Sequence, residues 1–301
     1  MMKTILCMDW GGTFIKYAFL NEECSILLKG KVESPKKSDS IEVLMDCIEN
    51  IVKLSPNIDG IGISSAGIID SENGIVETIG IFPFLDHVNV CALLEEKYHV
   101  KVTIENDARC ALLAEVWKGN LSHVKDGAVV VLGTGIGSAL WLDGKVHRGF
   151  HHLSGEVSAS CIDISKKEDR MSYVGQHGTT YLCILVSKEM HRTITSGEEV
   201  FQLVQEGNED ALRGLQAYTD DLALILFNMF VLLDVEKICI GGGISCQPML
   251  MKCLQESIQK IRTYHPDIVQ GMEYPLPIVD TCKYYNEANL IGALFNWLKT
   301  W

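Results

Sequence analysis

Apolar and polar positions along the chain divide it into short strands and amphipathic helices. Residues 4–10 (TILCMDW) have the continuous apolar character of a buried strand, end on Asp9 and Trp10, and run at once into Gly11-Gly12-Thr13. A second strand-like run covers residues 14–20, and Asn21-Glu22-Glu23 is a hairpin turn into a third over 25–31. Ile41, Leu44, Met45, Ile48 and Val52 fall at helical spacing over residues 40–54, and Pro56 with Asn57 stops that helix. A strand over 59–64 leads into Ser65-Ala66-Gly67, followed by a small hairpin over 68–76 and a short helix over 90–98. Residues 101–104 are then a β-type run and 108–117 a helix, with the polar triplet Glu105-Asn106-Asp107 between them.

A new unit is expected from Asp126-Gly127. Residues 128–132 form a β-branched strand, Gly133-Thr134-Gly135-Ile136-Gly137 a loop, 138–142 a strand, and Asp143-Gly144 a hairpin signal. Strand, glycine- and threonine-rich turn, strand and hairpin occur in the same order at residues 4–31, which suggests two related halves. Residues 157–180 are polar and irregular and read as a surface excursion. Helical patterns follow over 179–187, 198–206 and 210–233, and a strand over 235–240 closes on Gly241-Gly242-Gly243-Ile244. A helix over 248–263, a strand over 277–279 and a terminal helix over 288–298 complete the pattern, with small Ala288, Gly292 and Ala293 on the packing side of that last helix.

Composition narrows the class. A chain of 301 residues corresponds to about two domains. Hydrophobic content of 47% with 22% charged residues is ordinary for a globular protein. A net charge of −13 argues against a nucleic-acid surface, although backbone amides can still hold the phosphates of a nucleotide. The eleven cysteines are scattered without a CxxC or CxC pair, and the first residues lead straight into a strand pattern with no signal peptide. A cytoplasmic location with reduced thiols is expected. The longest apolar runs fall short of a membrane span, so no membrane partner is expected.

Two stretches carry candidate chemistry. Glu105-Asn106-Asp107 lies at a strand's carboxyl end and a helix's amino end, where open α/β sheets bind ligands. Helix capping by Asn106 or Asp107 accounts for the same residues without any ligand. The glycine loops are phosphate-sized, and the rival reading is a dinucleotide fold. The GxGxG spacing at Gly133, Gly135 and Gly137, followed by a strand pattern, disfavours that rival, which needs GxGxxG opening a helix.

Taken together, Asp9-Trp10-Gly11-Gly12-Thr13, Ser65-Ala66-Gly67, Glu105-Asn106-Asp107-Ala108, Gly133 to Gly137, Gly155-Glu156, Gly241 to Ile244 and Ala288 to Ala293 resemble the ROK family (repressors, open reading frames and sugar kinases). The resemblance covers nearly the whole chain. It implies an α/β, two-lobed actin-like ATPase (ribonuclease H-like) fold with a cleft between the lobes. Residues 1–115 plus 286–301 would form the smaller domain and 116–285 the larger. It implies an ATP-dependent sugar kinase in which Asp107 is the general base for a sugar hydroxyl, usually the 6-hydroxyl. Ser65, Gly67, Asn106 and Glu156 would join Asp107 in holding the sugar. Gly11, Gly12, Thr13, Gly133, Thr134, Gly135 and Gly137 would meet the ATP phosphates. Asp9 would orient Mg²⁺, and Gly242 and Gly243 would lie under the adenosine. Family members are commonly homodimers.

Two departures from the family pattern matter. Many members carry a histidine shortly after the Gly-Glu pair and a CxCGxxGC cluster that together bind structural zinc; here Glu156 is followed by Val157-Ser158-Ala159 and the cluster is absent. No zinc site is therefore expected. A subgroup resembling β-glucoside kinases shares this loss, which points to a hexose or a β-glucoside as substrate. Glucokinase or N-acetylmannosamine kinase activity is the alternative. The repressor branch carries an N-terminal helix-turn-helix, whereas this chain begins with its first strand pattern; a non-enzymatic sugar sensor stays open as a further alternative.

Overall fold

Strand β1 (Thr4–Trp10) is apolar at nearly every position because both of its faces are covered. Leu6, Met8 and Trp10 join one core and Ile5 and Cys7 another, as the two-residue period of a strand requires. In the computed structural model, which describes residues 2–299, the chain divides into two compact units. Among the described residues the first comprises 2–119, 148–154 and 287–299; the second comprises Asn120–His147 and Gly155–Asn286.

In the first unit β1 is followed by β2 (Phe14–Asn21), β3 (Ile26–Glu33), α1 (Ile41–Val52), β4 (Gly60–Ser65), β5 (Ile68–Asp70), β6 (Ile75–Thr78), β7 (Val88–Asn89), α2 (Val90–Tyr98), β8 (Lys101–Asn106) and α3 (Asp107–Lys118). The main sheet has the order β3-β2-β1-β4-β8, with β1–β2–β3 antiparallel and β1–β4–β8 parallel. Leu44, Ile48 and Ile51 of α1 pack on one face. The second unit contains β9 (Gly127–Leu132), β10 (Ile136–Leu142), β11 (Lys145–Val146), α4 (Thr179–Met190), α5 (Gly197–Gln205), α6 (Glu209–Leu233), β12 (Lys237–Gly241), α7 (Pro248–Lys260), α8 (Pro266–Val269) and β13 (Val279–Thr281). Its sheet has the order β11-β10-β9-β12-β13, again antiparallel on one side of the central strand and parallel on the other. The two halves therefore share one topology. Helix α9 (Ala288–Lys299) returns to the first unit and covers the second face of its sheet with Leu290, Ala293, Leu294 and Trp297. At Gly292 a β-carbon would collide with the Cys110 carbonyl of α3, so the small stripe read from the sequence sets how closely these helices approach.

Several boundaries differ from the pattern, each for a reason of pairing or packing. Strand β8 extends through Asn106, because Ser64 and Ser65 of β4 continue the ladder opposite Glu105 and Asn106. Strand β10 begins at Ile136, paired with Leu132, so the glycine loop is shorter than expected. The last strand lies at Val279–Thr281 rather than 277–279, in register with Ile238–Ile240. Residues 157–180 are not simply a surface excursion: Ser172, Val174 and His177 are buried within a series of 3-10 turns. Helix α6 corrects the reading of apolar runs. By length and composition it could cross a membrane, yet 56% of its apolar window is buried inside the protein, where Leu215, Leu222, Leu226 and Phe230 join the second unit's core.

Candidate active site

Register assembles the first half of the site. Across the three parallel strands Trp10 lies opposite Ser65 and Ser65 opposite Asn106; one row earlier Asp9, Ser64 and Glu105 are aligned. Gly11-Gly12-Thr13, Ala66-Gly67 and Asp107 thus all leave the sheet at its carboxyl edge, on strands spaced about 4.8 Å apart. Asp9 continues the Ile5–Cys7 face and meets α9. Its Oδ1 accepts from Asn289 Nδ2 (2.9 Å) and Ser64 Oγ (3.1 Å), while Lys16 Nζ stands 3.8 Å from Oδ2. The loop after β1 is held at its base: Gly11 N–H donates to the Phe14 carbonyl, Ser34 Oγ to the Gly11 carbonyl and Ser34 N–H to the Thr13 carbonyl. Gly12 and Thr13 stay exposed.

Capping and a polar edge coincide at the triplet. Asn106 is the N-cap of α3: its Oδ1 accepts from Arg109 N–H (3.2 Å), and its Nδ2 donates to the Gly67 carbonyl (3.1 Å). Ser65 is fully buried, with its hydroxyl on the Ala66 carbonyl. Asp107 is the first residue of α3, and its Oδ1 accepts from Ala108 N–H (2.8 Å). Ser65, Gly67, Asn106 and Asp107 are therefore brought together in the first unit.

The second unit repeats the arrangement. Gly241 of β12 lies opposite Val131 of the parallel β9, so the turns at Gly133-Thr134-Gly135 and Gly242-Gly243 leave neighbouring strands at one edge. A cavity of about 620 Å³ opens there, lined among others by Gly133, Thr134, Thr179, Ser196 and Gly243. Helix α4 starts at Thr179 and α5 follows its N-cap Ser196, so two helix amino ends, which favour negative charge, border the cavity. Gly243 has open space where a β-carbon would stand, and at Gly133 a β-carbon would make only an ordinary contact, 3.8 Å from the Gly135 carbonyl. Gly135 does not: a β-carbon there would strike the Gly175 carbonyl, and Thr179 N–H donates to the Gly133 carbonyl (2.8 Å). The 157–180 segment thus braces the loop from behind. Gly137 lies within β10, paired with Val131, and Gly242 has a positive φ of 95°. Glu156 is exposed, precedes a 3-10 turn and accepts a hydrogen bond from Ser158 Oγ.

Residues to which the sequence assigned no role of their own support the first half. Glu105 is fully buried, accepts from Asn106 N–H and Ser71 Oγ, and pairs with Arg109 and Arg148. Glu105 and Arg109 stand four residues apart across the β8–α3 junction, so this pair lay within reach of a local reading. Nothing local pointed to Arg148. Burial raises the Asp70 carboxyl, but hydrogen bonds from Asn73 and Glu72 and the charge of His152 outweigh it and hold Asp70 below the ordinary carboxylate value. Burial first and the Glu105 charge second push the Cys110 thiol well up, so it stays neutral behind the triplet.

The ROK family model matches residues 5–300. A β-glucoside kinase of Listeria monocytogenes is 28% identical over 304 residues, covering 98% of this chain and 97% of that protein. An N-acetyl-D-glucosamine kinase of Photobacterium profundum is 29% identical over 273 residues, covering 84% of this chain and 88% of its own. A ROK family protein from Streptococcus pneumoniae, solved in complex with sucrose, superposes with a TM-score of 0.86 at 28% identity, over 99% of this chain and 100% of that one. The architecture is the two-lobed actin-like ATPase fold. From its repeated sheet topology, its edge of glycine turns and this full-length match, the chain belongs to the ROK family.

Proposed function

We propose that this protein is an ATP-dependent sugar kinase that transfers the γ-phosphoryl group to a hydroxyl, the 6-hydroxyl, of a hexose or β-glucoside. The observation that carries this reading is the shared carboxyl edge of β1, β4 and β8, which gathers Asp9, Ser65, Gly67, Asn106 and Asp107. In the reaction the sugar oxygen bonds to the γ-phosphorus, the bond to the ADP oxygen breaks, and the hydroxyl proton passes to the Asp107 carboxylate. Asn106 orients the sugar with the hydrogen-bonding capacity left after its bonds to Arg109 and Gly67, and Ser65, Gly67 and Glu156 complete the contacts. The ATP phosphates take Gly11, Gly12, Thr13, Gly133, Thr134, Gly135 and Gly137, and the adenosine takes Gly242 and Gly243. Uncrowded backbone at Gly133 and Gly243 in one cavity supports the nucleotide assignment.

Asp9 suits Mg²⁺ by its donor chemistry: a single carboxylate beside a phosphate-sized loop, with neutral donors on Oδ1 and Lys16 at the edge of Oδ2, matches an ion that takes one or two carboxylates and phosphate oxygens. Bound there, the ion would supply charge neutralisation on the phosphates. The reading includes a cytoplasmic, homodimeric enzyme. The kinase relatives support a sugar as acceptor and leave β-glucosides, free hexoses and N-acetylated hexosamines to be separated. The test is ADP release from Mg-ATP across those three groups. Sugar-dependent release is expected, and its absence with every acceptor would leave a non-enzymatic sugar sensor.

A further inference from the structure

Glu105 is fully buried, yet both of its oxygens are engaged by charge-bearing or directed donors. Oε1 accepts the backbone N–H of Asn106 at 2.9 Å and faces Arg109 Nη1 at 3.4 Å. Oε2 accepts from Arg148 Nε at 3.0 Å and Nη2 at 2.7 Å, and from Ser71 Oγ at 3.0 Å. Arg109 continues through Nη2 to the His152 carbonyl, so one network grips Arg148–Ser154 at two points. That strap has no helix or strand of its own, passes through positive φ at Gly149 and His152, and leaves Phe150 92% exposed. Apart from its own Ser154 N–H bond to the Arg148 carbonyl, its order comes from these anchors and from His152 beside Asp70. Stability alone is a poor reason for such a network, since apolar groups of the same volume replace buried ion pairs at little cost. What apolar groups cannot supply is direction: planar guanidinium forks fix the carboxylate, and the carboxylate fixes the Asn106 amide one peptide before Asp107.

We propose that Glu105, Arg109 and Arg148 are positioning residues, a buried network that sets the Asn106-Asp107 turn and ties it to the strap preceding Gly155-Glu156. The inference rests on the kinase reading for its consequence in turnover, but not for its structural content. Arg148→Ala is expected to fold, because Glu105 keeps Arg109, Ser71 and the Asn106 N–H. Turnover of Arg148→Ala should drop roughly 10²-fold, the order expected when a reacting group is misplaced by about 1 Å. The KM for ATP should stay as it is, since Arg148 does not line the glycine-loop cavity and the Gly11-Gly12-Thr13 turn is anchored by Phe14 and Ser34 instead. Arg148→Lys should fall between the two, and added guanidinium ion should restore part of the Arg148→Ala turnover. Hydrogen exchange reads the geometry without any substrate: the Asn106 amide and the strap amides should exchange faster in Arg148→Ala. Wild-type turnover and unchanged exchange in that variant would overturn the proposal. So would a proportional loss of ATP binding and thermal stability that guanidinium does not rescue, which is the mark of a merely structural role. A wild-type protein that releases no ADP with any sugar defeats the kinase reading by itself, and the exchange result then decides the network.

Discussion

Asp107 and Asn106 divide two tasks that the sequence left superposed. Asn106 caps α3 and Asp107 opens it, so capping does not consume the aspartate. Asp107→Asn keeps the shape and the acceptor for Ala108 N–H while removing basicity. Turnover is expected to fall by roughly 10²–10⁴, with sugar affinity in calorimetry retained; near-normal turnover would reduce Asp107 to a helix-start residue. The glycine turns separate in the same way. Gly135 is needed because the Gly175 backbone occupies the place of its β-carbon, so substitution there tests folding. Gly133 has its nearest such neighbour at 3.8 Å. Gly133→Val should therefore leave the melting temperature near that of the wild type and raise the KM for ATP about tenfold or more, equivalent to about 1.4 kcal/mol. An unchanged KM for ATP would remove Gly133 from the phosphate site.

Helices α6 and α7 are tied by a polar cluster inside an otherwise apolar contact. Asp220 Oδ1 accepts from Ser257 Oγ (2.8 Å) and Gln216 Nε2 (3.0 Å), and Oδ2 pairs with Lys260. Burial raises the Asp220 carboxyl, but Lys260, Ser257 and Gln216 outweigh it and hold it below the ordinary value of 3.8. A folded pKa below the unfolded one means that the folded state binds the proton less readily. The stabilisation is then complete above the ordinary carboxylate value and is lost as pH falls through the lowered one. Asp220→Asn should cost about 1 kcal/mol at pH 7, a figure kept small because water reaches the side chain. Its difference from the wild type in thermal unfolding should shrink as pH drops below about 4. A difference that grows on acidification would contradict the assignment.

For the whole molecule, the segment after Gly155-Glu156 is closed by short turns and packing, and it is expected to hold its shape without zinc. His177 is buried with Nδ1 against the Tyr173 carbonyl and its ring against Tyr181. Cys183 lies in the core, where burial before any other influence pushes its thiol up and away from the thiolate that zinc requires. Cys161 donates to the Asp163 carbonyl. The 3-10 turns are closed by Asp163, Asp169 and Ser172 and end on Gly178, packed on Gly135. Purified protein should contain no stoichiometric zinc, and a zinc-selective chelator in excess Mg²⁺ should leave activity intact. One zinc per chain, or activity lost to the chelator and restored by zinc, would overturn this.

The sequence by itself determined the elements whose apolar period is strong: β1, α1, the β8–α3 junction, β9, β12 and the small-residue face of α9. It also determined the repeated order of strand, glycine turn and strand, because local patterning and turn chemistry are properties of neighbouring residues. Motif resemblance further carried the family and singled out Asp107, Asn106 and the glycine turns as candidates. Tertiary structure decided what depends on distant pairing. The register of β1, β4 and β8 aligned Asp9 with Ser64 and Glu105. Asn289 reached Asp9 across 280 positions of sequence. Gly135 turned out to yield to Gly175 instead of open space. Arg148, far from Glu105 in sequence, became its principal partner, because a buried carboxylate must find opposite charge wherever the fold brings it.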